Sequence, residues 1–232
     1  MRTDFFDVAR RFIATGEVLV DSLPAWMTGT AGLLAGPVVV QVTERAAGVP
    51  LLDFGWPRRI TTAMISVLTA TLWVLGWTRF GATLVLLAWC WVCALGLSLA
   101  LVDLRCRRLP FALTAAFAGG GAAVLFGTAA VDERWTQLAF AYGASAVVLV
   151  LALLAQVCAP EHTGGGDTAL YGALALYLGW GGWEALLRGL LIASGLTAMV
   201  AFVVVMCSRR MNSRFPAGPS LLAGALASML FA

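Results

Sequence analysis

The chain has 232 residues, is 61% hydrophobic and only 12% charged, and carries a formal net charge of +3; its mean hydropathy is +0.90. Soluble domains carry about 25% charged residues, so the composition excludes an ordinary water-soluble domain. The basic excess is not a nucleic-acid footprint either, because lysine is absent and the arginines sit between apolar runs, where they act as topology determinants.

Those apolar runs are about 20 residues long, the length that crosses about 30 Å of hydrocarbon as a helix. The short alternating segments of a transmembrane barrel are absent. The fold class is therefore all-α: a polytopic helical integral membrane protein with about eight transmembrane helices.

Residues 1–25 form an N-terminal polar or amphipathic segment. Phe5, Val8, Ala9, Phe12 and Ile13 recur near helical spacing with Asp7, Arg10 and Arg11 between them, which suits either an interfacial helix or a polar tail. No uninterrupted apolar stretch follows Arg2, so a cleavable signal is not expected. The N-terminal membrane helices occupy 26–100. The first span is read at about 26–42, with Pro37 expected to kink it or shift its boundary. The second runs from about 60 to 77, Trp77-Thr-Arg-Phe80 makes a turn, and the third runs from about 81 to 102 and ends on Asp103.

Residues 101–232 form the remaining unit. Arg105, Arg107 and Arg108 make a basic loop, and Pro110 leads the fourth span, about 110–130, in a position suited to a helix start. The fifth span covers about 137–158. A glycine-rich loop, 160–167, leads into the sixth at about 168–183, with Gly181-Gly-Trp-Glu184 as a tight connection to the seventh, about 185–207. The last apolar segment, about 219–232, is short for a span.

Eight spans place loops 43–59, 103–109, 159–167 and 208–216 on one side. These hold Arg45, Arg58, Arg59, Arg105, Arg107, Arg108, Arg209, Arg210 and Arg214, against Arg79, Arg134 and Arg188 opposite. The excess of positive charge assigns the first set to the cytoplasm and both termini to the outside. Asp103 and Asp167 then share the cytoplasmic boundary.

Ionisable groups at membrane depth are costly and are functional candidates by default. Two carboxylates brought close cannot both ionise easily. One then serves as general base on water while its protonated neighbour serves as acid. Gly164, Gly165 and Gly166 precede Asp167 and permit positive φ and close backbone approach. Taken singly, each acid has a plain structural reading: Asp167 as a helix N-cap, Asp103 as the partner of Arg105 or Arg107. Other chemistries are poorly supplied. His162 is the single histidine, and Cys90-Trp-Val-Cys93 lies inside an apolar run with no second pair to complete a zinc site. No metal and no cofactor is expected.

Gly164-Gly-Gly-Asp167 fits the Gly-x-Gly-Asp motif of membrane aspartyl proteases. Asp103-Leu-Arg-Cys-Arg-Arg-Leu-Pro110 resembles the first-aspartate motif of the type IV prepilin peptidases, an aspartate followed by basic residues and an aliphatic-Pro pair. Phe215-Pro-Ala-Gly-Pro219 looks like that family's closing segment, and Gly32, Gly36 and Arg45 are similar to its N-terminal glycine-rich helix and arginine. The motifs occur in the family's order along most of the chain.

The resemblance implies a leader peptidase of the inner or plasma membrane, acting on prepilin or pseudopilin-like precursors at the cytoplasmic face. Asp103 and Asp167 would be its catalytic pair, with Gly164, Gly165, Gly166, Arg105, Pro110, Pro216, Gly218 and Pro219 shaping the site. Partners beyond the precursor and the bilayer are not implied. The chain departs from the pattern at Thr168-Ala169, where the family often has Val-Lys, and at Val40, where it often has asparagine. Loop 43–59 has no cysteine, so the chain resembles a short form lacking the cysteine-rich cytoplasmic loop, and N-methyltransferase activity is not expected. Glu44, Asp53 and Glu161 are candidates to receive a basic leader. The alternatives are a non-enzymatic assembly or transport protein, or an inactive relative of the peptidases.

Overall fold

A computed structural model describes residues 24–48, 57–158, 164–208 and 216–231. Eight helices occur among them: α1 (Ala25–Ala47), α2 (Arg58–Phe80), α3 (Leu84–Cys106), α4 (Phe111–Asp132), α5 (Trp135–Cys158), α6 (Gly165–Trp180), α7 (Trp183–Ser208) and α8 (Gly218–Phe231). All but α6 and α8 are long and apolar enough to cross a membrane. The protein is thus an all-α, multi-pass membrane protein. At 1.5 Å per residue, α6 and α8 extend only about 24 Å and 21 Å.

Several helices outrun their predicted spans, because polar residues at a boundary do not interrupt backbone hydrogen bonding. Trp77-Thr-Arg-Phe80 was expected to turn; it is the last turn of α2, closed by Gly81 with φ 64°. α1 continues through Pro37 to Ala47, so the proline does not end it. α3 passes unbroken through residue 100 and carries Asp103 and Arg105 in its final turn, with Arg107 in the left-handed C-cap position at φ 50°. The N-terminal segment up to residue 23 lies outside the described residues.

α6 is the centre of the bundle. It packs on α4, α5, α7 and α8, and every residue from Gly172 to Trp180 is buried. Its sequence from Ala169 onward is apolar with glycine and alanine interspersed, which lets neighbouring backbones come close without a polar cost in hydrocarbon. α3 is the second axis, touching α1, α2, α4 and α8. The outer helices are the reverse: α5 and above all α7 expose leucines, valines, methionines and Phe202, as lipid-facing helices do.

The tryptophan indoles tie this bundle together with N–H donors that need a partner in an apolar medium. Trp89 Nε1 donates to the Leu72 carbonyl at 2.7 Å, Trp73 Nε1 to Cys90 at 3.2 Å and Trp91 Nε1 to Phe117 at 3.2 Å. Cys93 is fully buried and Cys90 half-buried in the same apolar cluster as Trp89, so the pair serves packing. Gly32 and Gly36 also belong to packing. A Cβ on Gly36 would lie 2.4 Å from Ser66 Cα, and one on Gly32 2.6 Å from Ala70 Cα. They set the α1–α2 contact.

Candidate active site

Five cross-element contacts and one charge interaction gather the C-terminal ends of α1, α3 and α5 and the N-terminal ends of α2, α4, α6 and α8 at one end of the bundle. The backbone N–H of Gly218 donates to Asp103 Oδ2 at 2.8 Å. Thr168 Oγ1 donates to Gln156 Oε1 at 2.9 Å. Arg58 pairs with Glu44 at 2.9 Å. Cys106 Sγ lies 3.8 Å from the Ala47 carbonyl. Gly166 lies against Leu109, and Asp167 feels the charge of Asp103.

Asp103 is set by α3. The helix continues one turn past it, so its side chain points from a regular helical position into the bundle and is only 4% exposed. The first N–H groups of a helix have no partner of their own. Gly218 opens α8, and its N–H is spent on this carboxylate. The positive end of the α8 dipole therefore faces Asp103. Pro219 follows in the first turn, where a missing N–H costs nothing; Leu221 N–H is accepted by the Ala217 carbonyl.

Asp167 is set by α6. Gly164 is the N-cap, with φ −87° and ψ 140°, and helix begins at Gly165. Asp167 is thus the third helical residue, not the cap, and none of the three glycines has positive φ. That corrects the expected use of the glycine run. What the run supplies is room: a Cβ on Gly166 would lie 2.6 Å from Leu109 Cβ, so only glycine lets α6 rest on the Leu109-Pro110 entry to α4. Pro110 caps α4 with φ −65°, and its carbonyl accepts from Leu113 and Thr114.

Asp167 lies outside the six long spans, at the buried mouth of the bundle. Burial first, and the neighbouring Asp103 charge second, push its pKa up to about 6. A carboxyl so placed holds a proton well above the usual carboxylate range. With Asp103 held by an N–H donor at a helix N-terminus, the two acids have unlike environments, the condition for dividing acid and base roles.

Arg105, Arg107, Arg108, Pro216 and Glu44, of the remaining expected residues, are described and fall at the same end. Arg105 is half-buried on the last turn of α3, and Arg107 and Arg108 are exposed beyond it. Pro216 is half-buried ahead of α8; Phe215, Arg209, Arg210 and Arg214 lie outside the described residues, as do Asp53, Glu161 and His162. Glu44, considered as a receiver of a basic leader, is already paired with Arg58. Val40 is buried with Val39 and Ile65, a packing role. Gln156 was not anticipated. Its amide reaches both Thr168 and Gly165, where its Nε2 is 3.6 Å from a Cβ built on that glycine. A lone amide two residues from the end of an apolar run was the available signal.

Comparison with protein-family profiles, with curated proteins and with solved structures finds no match for the chain.

Proposed function

We propose that the protein is a membrane-embedded aspartic endopeptidase of the prepilin peptidase type, cleaving leader peptides of prepilin or pseudopilin-like precursors at the cytoplasmic face of the cell membrane. The observation that carries this reading is that Asp103 and Asp167, from separate helices, lie at the same arginine-rich end of the bundle, near enough for the charge of Asp103 to raise the pKa of Asp167. The motif resemblance supplies the substrate class.

In the proposed reaction, water is held between the two carboxyl groups. The ionised one, Asp103, takes a proton from water as its oxygen adds to the scissile carbonyl carbon. The protonated one, Asp167, gives its proton to the carbonyl oxygen. The tetrahedral diol then collapses: one hydroxyl returns its proton to Asp167 as the carbonyl re-forms, the C–N bond breaks, and the departing amine takes the proton held by Asp103, which restores the starting pair. The Gly218 N–H and the α8 dipole favour Asp103 as the ionised member. The apolar helix of the precursor would lie in the bilayer beside the bundle, presenting its cleavage site at the boundary.

The test is leader processing in proteoliposomes with a purified prepilin. Asp103→Asn and Asp167→Asn should each lower the rate by about 10²–10⁴-fold, the range of general acid–base catalysis. Processing at the wild-type rate by either variant would exclude the pair as the catalyst and favour a structural or transport role for the two acids.

A further inference from the structure

The end of the bundle opposite the carboxylates holds a cavity of about 340 Å³. It is enclosed by the last residues of α2, the first turns of α3, the C-terminal ends of α6 and α8, and the start of α7. Val85, Ala88 and Val92 line it along one face of α3, which extends it about 10 Å into the apolar bundle. Its volume falls in the range of small-molecule sites, about 300–1,000 Å³.

The lining divides by chemistry. Arg79, Arg188 and Glu184 supply its charge, with an excess of one positive. Among the described residues neither arginine is in an ion pair, and the Arg79 guanidinium lies 5.6 Å from the centre of the Phe80 ring. The remaining wall is mostly apolar, with Trp89, Leu125 and Met229. Ser228 is the exception: it lines the cavity, is 1% exposed, and its Oγ has no hydrogen-bond partner. A buried hydroxyl left unpaired is destabilising unless a ligand supplies the missing bond. An apolar cleft with free guanidinium groups and an orphan hydroxyl, opening at a membrane boundary, matches an anionic amphiphile.

We propose that this cavity binds one anionic phospholipid from the adjoining leaflet, its phosphate between Arg79 and Arg188, part of an acyl chain against the apolar wall, and an ester oxygen at Ser228. The site is separate from the two aspartates and does not depend on their role.

The full-length protein is reconstituted in phosphatidylcholine nanodiscs doped with phosphatidylglycerol, and retained lipid is read by native mass spectrometry. One phosphatidylglycerol should remain on the wild type. The Arg79→Ala/Arg188→Ala variant should lose it by about tenfold, the loss expected for charged hydrogen bonds. Ser228→Leu, which fills the apolar part and leaves both arginines, should lose it too. Arg134→Ala, at the same end but paired with Asp132, should retain it. Thermal unfolding of each variant checks that it is folded. Competition on the wild type needs no variant: phosphatidylethanolamine and inorganic phosphate should each fail to displace the lipid. Displacement by inorganic phosphate would assign the site to a free anion, and displacement by phosphatidylethanolamine to a zwitterion; either overturns the proposal, as does equal retention by wild type and the arginine variant.

Discussion

Gly218 gives its backbone N–H to Asp103 Oδ2 at 2.8 Å, joining the first turn of α8 to the last turn of α3. The contact is close enough that a Cβ on Gly218 would stand 2.9 Å from the same oxygen and 3.3 Å from Asp103 Cγ. Gly218→Ala therefore forces the carboxylate to rotate away from its donor. Leader processing should fall by roughly 10²-fold, the cost of displacing a reacting group by about 1 Å, while the helical content is unchanged. Unimpaired processing by this variant would mean that the α8 N-terminus does not position Asp103 for catalysis.

Asp167 gives a pH signature that can be read without substrate. Its folded pKa, about 6, lies above the ordinary value of 3.8. Between those values the folded state binds the proton and the unfolded state does not. Stability contributed by the protonated carboxyl is complete below pH 3.8 and is lost as pH rises through about 6. Asp167→Asn removes the buried charge. It should raise the melting temperature in detergent above pH 6 and lose that advantage near pH 4. A stabilisation independent of pH would assign the effect to something other than this carboxyl. In the wild type, processing should decline as pH rises through about 6, where the pair loses the proton it shares.

The three glycines ahead of Asp167 separate sharply. Gly166→Ala must push α6 off Leu109 and should destabilise by about 1–3 kcal/mol, the usual cost of overpacking. Gly164→Ala meets only Asp167 Oδ2 at 3.5 Å, with a backbone conformation open to any residue, and should be tolerated. Paired thermal melts and processing rates check the contrast; equal sensitivity at the two positions would be inconsistent with the close approach at Leu109.

That contrast shows where sequence reading runs out. Apolar runs revealed the helices because burial in lipid selects for them over some twenty residues, and the arginine distribution separated the two ends. The run Gly164-Gly-Gly166 looks uniform in sequence; only the placement of Leu109, from another element, makes one of the three indispensable. Charged residues near Phe80 and Cys106 suggest loop in the sequence, yet the helices run through them, because arginine and aspartate continue a helix readily when their side chains find water or a partner. The Gly218–Asp103 bond joins positions far apart in the chain, which no local pattern encodes; the motif resemblance alone pointed to Gly218. Gln156 carried no such pointer.

Thr168 is one of the residues at which the chain departs from the pattern it otherwise resembles, and its surroundings give it a structural role. Its Oγ1 donates to Gln156 Oε1 at 2.9 Å and lies 3.3 Å from the Gly164 carbonyl, and the residue is 4% exposed. The hydroxyl thus fastens the first turn of α6 to the end of α5, directly beside Asp167. Thr168→Val keeps the shape and removes the donor, leaving the Gln156 carbonyl oxygen without this bond, at a cost of about 1 kcal/mol. Gln156→Leu removes the other partner. In a double-mutant cycle read by thermal or denaturant unfolding, the two should couple by about 0.5–1.5 kcal/mol. Processing by Thr168→Val should stay within about tenfold of wild type, because the hydroxyl is already spent on Gln156 and the Gly164 carbonyl. Additive effects would show that the pair does not hold the α5–α6 junction. A loss as deep as that of Asp167→Asn would instead place Thr168 itself in the reaction.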